Sequence, residues 1–236
     1  MPRRLIAAYP KGSLRKVRLE RGNVRGASDV VLTALMDALR LSAIERDYFL
    51  DLVRQVNASG RPPRHGARAD MPPRLQQMAD AMAEVTVLVR NRWMDVIGGN
   101  ARAKALYAPV YAEPSPNLSR HVFLDPAART FSPDWERMAD INVGTLRLAL
   151  ARYPDDADLI ALVDELAAAN ADFRERWPQH PVMQFGSGTM VFDHLTVGRM
   201  ALQHEQLRLL ADVTLVVNVY SAAPGSIDAQ RFAALG

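Results

Sequence analysis

The sequence predicts an α+β fold: an antiparallel sheet of about five strands with helices, preceded by a small all-α unit. Three observations carry this. Residues 85–89 and 93–97 are short β-rich runs on either side of a polar turn at Asn91. Residues 183–194, 197–209 and 213–222 replace helical periodicity with strict alternation. Between these groups lie apolar stripes at helical spacing, several opened by a capping residue. Two strands, several helices and three more strands place the helices together on one face of a single sheet.

Each element has a local reason. Val31, Leu32, Leu35, Met36 and Leu39 form a helical stripe behind Ser28 and Asp29, and Ser42-Ala43-Ile44-Glu45 has the form of a capping box opening a second helix, so the two make a hairpin. Residues 57–70 mix Gly, Pro, Ser and Arg without periodicity and read as a linker. Asp70 caps a helix with Pro72 and Pro73 in its first turn, where a missing N–H costs nothing. Gly98-Gly99-Asn100 ends a strand and caps a helix carrying Leu106 and Val110. Asp125-Pro126 starts a short helix, and Pro133-Asp134-Trp135 a long one with Trp135, Met138, Ala139, Leu146 and Leu150 on one face. Tyr153-Pro154 stops it, and Leu159, Leu162, Val163 and Leu166 stripe the next. In the fourth strand Met200, Leu202 and His204 share the core side, and Ser226 caps a final helix.

Composition narrows the function. Of the 236 residues 49% are hydrophobic, and no apolar run is long enough to span a bilayer, so a globular protein without a membrane partner is expected. The absence of cysteine excludes disulfides, thiolate metal sites and a cysteine nucleophile, and is compatible with a reducing cytoplasmic location. The net charge of +3 conceals an asymmetry: residues 1–25 hold eight Lys/Arg against one acid, while residues 71–236 hold 15 against 19. A basic head on an acidic body suits attraction to nucleic-acid phosphates.

Several segments carry a family resemblance: Pro72-Pro73-Arg74-Leu75, Asn91-Arg92-Trp93-Met94-Asp95-Val96, residues 117–129, Pro133-Asp134-Trp135-Glu136, Arg152-Tyr153-Pro154-Asp155-Asp156, Phe173-Arg174-Glu175-Arg176-Trp177 and Ala223-Pro224-Gly225-Ser226. In this order and spacing they resemble the ligand-binding domain of MmyB-like transcription regulators, a PAS-like fold that follows an XRE-type helix-turn-helix. Val17 to Gly26 and the hairpin to Val56 resemble the rear of that helix-turn-helix. The resemblance stops at Val17, and Lys11-Gly12-Ser13-Leu14 and Arg15-Lys16 stand where the family carries a Ser/Thr-rich start and an aromatic pair. A shortened gene start and a natural variant both account for this. The expected organisation is a partial helix-turn-helix over 1–58, a linker over 59–70 and the ligand-binding domain over 71–236.

The resemblance implies a homodimeric, double-stranded-DNA-binding regulator with a pocket for a small apolar, fatty-acid-like molecule. A stand-alone ligand-binding or interaction protein that no longer binds DNA is the alternative. Arg15, Lys16, Arg18, Arg21, Asn23 and Arg25 are the candidate DNA contacts. Trp93, Phe123, Trp135, Leu146, Phe173, Trp177 and Met200 are the large apolar candidates for the pocket wall, and Arg147, Arg174, His180, His194 and His204 the candidates to hold a carboxylate head. No His-Glu-x-x-His pair, Gly-x-Ser-x-Gly elbow or phosphate loop is present, so neither a metal, a cofactor nor catalysis is expected.

Overall fold

A computed structural model describes residues 27–41, 46, 49–50, 53, 71–179, 186–209, 212 and 214–235. The chain divides into two compact units, Met1–His65 and Gly66–Gly236. In the first, helix α1 (Asp29–Ala38) buries Leu32 and Met36. It ends on Arg40 in the left-handed region (φ 53°), with the Leu41 amide donating to the Met36 carbonyl at 3.0 Å. Most of the second predicted helix, the linker and all six candidate DNA contacts lie outside the described residues.

The second unit begins with α2 (Pro73–Ala81), followed by strands β1 (Thr86–Arg90) and β2 (Val96–Gly99). Helices α3 (Ala101–Leu106), α4 (Ala108–Tyr111), α5 (Leu118–Leu124), α6 (Ala128–Phe131), α7 (Trp135–Arg152), α8 (Ala157–Ala169) and α9 (Ala171–Gln179) come next. Strands β3 (Ser187–His194), β4 (Gly198–Arg208) and β5 (Val216–Ser221) and helix α10 (Ile227–Ala233) complete it. The five strands form one antiparallel sheet in the order β2-β1-β5-β4-β3, as the α+β reading requires.

The helices do not all gather on one face. Leu75 and Ala79 of α2 cover the outer face, packing with Val87, Val89, Leu215 and Val217, while Leu88, Met200, Leu202 and Tyr220 face the main helical side. Strand β1 is therefore buried on both faces, which its unbroken apolar run permits. A second difference concerns the hairpin: Trp93 is not in a strand but in the turn. There Met94 takes a positive φ of 65°, and the Asn91 side chain accepts from the backbone amides of Trp93 (2.9 Å) and Asp95 (3.0 Å). A third concerns α7, which is buried on two sides. Trp135, Ala139, Val143 and Leu146 enter a core among α5, α8 and α9, whereas Ile141 and Met138 turn toward the sheet.

Polar side chains tie distant segments together. Asn100, the cap of α3, accepts from the Ala103 amide (2.9 Å) and the Val87 amide (3.2 Å), and donates to the Met82 and Val85 carbonyls. Gly99 beside it has no room for a side chain: a Cβ would stand 2.6 Å from the Val87 carbonyl oxygen. Asp156, 2% exposed, caps α8 through the Leu159 amide and accepts from the Trp93 indole (3.0 Å) and Arg92 Nε (2.9 Å). The Arg92 guanidinium in turn lies over the rings of Trp93 (4.2 Å) and Tyr153 (4.5 Å). Burial alone would raise the Asp156 carboxyl, but the Trp93, Leu159 and Arg92 hydrogen bonds outweigh it and hold the group below its ordinary value. Asp156→Ala removes the acceptor from a buried cation, an indole and a helix cap, and is expected to destabilise the unit by about 3 kcal/mol or more in chemical denaturation.

Candidate functional site

Between the inner face of the sheet and the helices lies a cavity of about 50 Å³. Its sheet wall is Arg90, Met190, Phe192, His204, Gln206, Asn218 and Tyr220. Its helical wall is Tyr107, Leu118, His121, Val122, Phe131, Met138, Ile141, Asn142 and Thr145, and Met94 and Ser132 close it. A space of this size holds a few water molecules or a compact organic group. Three of its lining residues are methionines, whose unbranched side chains can re-pack around something larger.

The apolar part is a group of four rings. Tyr107 lies 5.9 Å from Phe131, 5.8 Å from Phe192 and 5.9 Å from Tyr220, and Phe131 and Phe192 are 5.4 Å apart. The phenols of Tyr107 and Tyr220 hydrogen-bond to each other at 2.8 Å, and burial pushes the Tyr220 hydroxyl up to about 12, so it is neutral. The polar part lies along the strands. His204 pairs with Tyr220 across β4 and β5, and Gln206 with Asn218. Asn218 Oδ1 lies 3.3 Å from His204 Nε2 and accepts from Gln206 Nε2 at 3.4 Å, which assigns the proton of a neutral His204 to Nε2.

On the helical side Ser119 donates to Asn142 Oδ1 (2.9 Å), and Asn142 and Thr145 donate back to carbonyls of their own helix. His121 Nδ1 meets Asp125 at 2.8 Å, while its Nε2 is buried with no hydrogen-bond partner among the described residues. Arg90, at the end of β1, is 5% exposed; burial lowers it to about 10, so it remains a cation at neutral pH.

Among the residues singled out from sequence, only His204 lines this cavity. Met200 is fully buried in the same sheet-side core. Trp93, Phe123, Trp135, Leu146 and Phe173 belong instead to the helical core, against which Trp177 packs. There Phe123 and Phe173 meet edge to face at 5.0 Å, and Arg129 lies 3.6 Å over Trp135. Arg147 donates to the Trp177 carbonyl, Arg174 to the Ala167 carbonyl, and His194 Nε2 meets the Ala105 carbonyl at 3.1 Å. His180 lies outside the described residues. Arg90, Tyr107, His121, Phe131, Phe192 and Asn218 were not singled out. For Arg90 the available signal was strand parity, since Thr86, Leu88 and Arg90 share a face.

A sheet and a helical layer enclosing a mixed apolar and polar cavity is an arrangement suited to hold a small molecule. The family comparison agrees: the model for the MmyB-like transcription regulator ligand binding domain matches residues 71–235, and the chain belongs to that family. No curated protein matches the chain. Among the described residues no group of His, Asp and Glu is arranged to hold a metal, and no helix is long and apolar enough to cross a membrane.

The two cavity histidines make the site acid-sensitive. Burial is the main cause lowering His121, opposed by Asp125. Burial also lowers His204, with Arg90 adding to it and the Asn218 hydrogen bond opposing. Each binds its proton less readily in the fold than in the unfolded chain, whose value is 6.5. Their contribution is complete above 6.5 and is lost as pH falls from there through the lowered folded values. Thermal denaturation between about pH 7 and pH 5.5 should show a falling melting temperature, and His204→Gln should flatten that fall.

Proposed function

We propose that the chain is a ligand-responsive transcription regulator in which the cavity on the inner face of the sheet receives a small amphipathic, fatty-acid-like molecule. The observation that carries this is the cavity itself: an aromatic and methionine-lined space with a few polar groups at one wall, in a domain of a regulator family. The basic residues 1–25, with Arg15, Lys16, Arg18, Arg21 and Arg25 beside Asn23, support a DNA partner, and we read residues 1–58 as a partial XRE-type helix-turn-helix joined by a linker over 59–70 to the sensor domain. We read the protein as non-catalytic, bacterial and cytoplasmic, acting on double-stranded DNA as a homodimer, because such operators are commonly read by two-fold dimers. Control then requires that the ligand bind one arrangement of the dimer more tightly than the other.

A wall-filling substitution tests the ligand site. Thr145→Leu adds volume where α7 faces the cavity, and it is expected to leave the domain folded while reducing binding of octanoate at least ten-fold in calorimetry. Duplex binding to the DNA upstream of its own gene, followed as salt is raised, tests the other half. Sequence-selective binding that octanoate shifts supports the regulator. Ligand uptake with no selective binding favours the stand-alone sensor, for which the residues at 11–16 speak.

A further inference from the structure

The two edges of the sheet differ. The β2 edge is closed: the strand is four residues long and its register with β1 shifts at Val89/Arg90. The Val96 amide donates to the Pro116 carbonyl and the Leu118 amide to the Met94 carbonyl, each at 2.9 Å, and Gln76 Nε2 donates to the Gly99 carbonyl at 3.1 Å. The β3 edge runs for eight residues in unbroken register with β4, from Ser187↔Glu205 to His194↔Gly198. Its phase follows from the backbone amide of Gln206, which donates to the Gly186 carbonyl at 2.7 Å. Gly188, Met190, Phe192 and His194 therefore turn their amides and carbonyls to β4, while Ser187, Thr189, Val191 and Asp193 turn theirs to the free edge. Among the described residues, the one partner of these outward backbone groups is Arg137, its side chain 44% exposed, whose Nη1 donates to the Thr189 carbonyl at 3.0 Å. Apart from Asp193 near its end, the strand has none of the charges, prolines or bulges that protect an exposed edge.

We infer that the β3 edge is the self-association surface of the chain, pairing antiparallel with β3 of a second copy about a two-fold axis at Met190. The outward phase allows few two-fold registers, and the one centred on Met190 pairs the whole strand. In it Ser187 faces the partner's Asp193 and Thr189 the partner's Val191, each pair exchanging two hydrogen bonds. A hydroxyl donor then stands beside a carboxylate and two β-branched residues side by side, while on the inner face Phe192 lies across the partner's Gly188. A shift of two residues either way sets Val191 or Thr189 against itself and leaves the strand ends unpaired. This match of the strand to itself favours a second copy over an unrelated strand. Arg137 shields the edge: the Thr189 carbonyl leaves it to accept from the partner's Val191 amide, and Asp134, 3.7 Å from Arg137, holds the released side chain. The inference gives the proposed homodimer its surface and rests on that reading for self-association.

The test is sedimentation velocity of the full chain over a range of concentrations, with variants at the edge. The native chain is expected to form a concentration-dependent dimer. Ser187→Asp, at an exposed position outside the cavity, sets a carboxylate against the partner's Asp193 twice per dimer and should weaken association about five-fold or more. Arg137→Ala should strengthen it about two-fold or more by releasing the Thr189 carbonyl. Cross-linking reads the register, because the native sequence has no cysteine. The double variant Ser187→Cys/Asp193→Cys places thiols on facing positions with Cα atoms about 5.5 Å apart, so mild oxidation should yield a covalent dimer that neither single variant gives. A dimer that Ser187→Asp leaves unchanged, or whose paired cysteines do not join, overturns the inference and keeps the homodimer. Equal cross-linking of a single variant overturns the Met190-centred pairing. A chain that stays monomeric at every concentration overturns the homodimer together with the inference.

Discussion

Burial of β1 on both faces is the constraint from which the rest of this domain follows. Val87 and Val89 are held under α2 on one side and Leu88 under the main helices on the other, so a one-residue slip would exchange the two sets and bury the wrong residues on each. β5 and β4 inherit that parity through their ladders, which sets Tyr220, Asn218, His204 and Gln206 on the inner face. Arg90 is inward because Leu88 is inward. The chemistry of the cavity wall is thus a consequence of how the central strand is packed.

The helical layer contributes differently. The long helix α7 holds a core of its own with α5, α8 and α9 through Trp135, Val143 and Leu146, while Ile141, Asn142 and Thr145 reach the cavity. Asp156 fastens that helical core to the β1–β2 turn through Trp93 and Arg92. One wall of the cavity is therefore a hydrogen-bonded sheet and the other a set of helices that present aromatic, aliphatic and polar side chains together with Met138.

Much of this was legible in the sequence. The change from helical spacing to alternation located the last three strands, and Asn100 and Ser226 announced the caps they form, because capping depends on neighbours a few residues away. Strand parity was enough to turn His204 inward. What could not be read were facts depending on distant partners. The Trp93 indole finds its acceptor 63 residues away, in the Asp156 carboxylate. The large aromatic residues are buried as their size suggests, but two cores compete for them, and nothing local distinguishes a residue packed between helices from one facing the sheet. Arg90 was passed over because a charged residue closing a strand ordinarily points to water.

The proposed ligand lies against the sheet and not within the helical core. Nuclear Overhauser contacts from a protonated octanoate chain to the otherwise deuterated protein, with aromatic rings and methionine methyls kept protonated, test it most directly. Contacts to Tyr107, Phe131, Phe192 and Met190, which line the sheet-side cavity, are expected. Contacts to Phe123, Trp135, Phe173 and Trp177 instead would place the ligand in the helical core and overturn the sheet-side site.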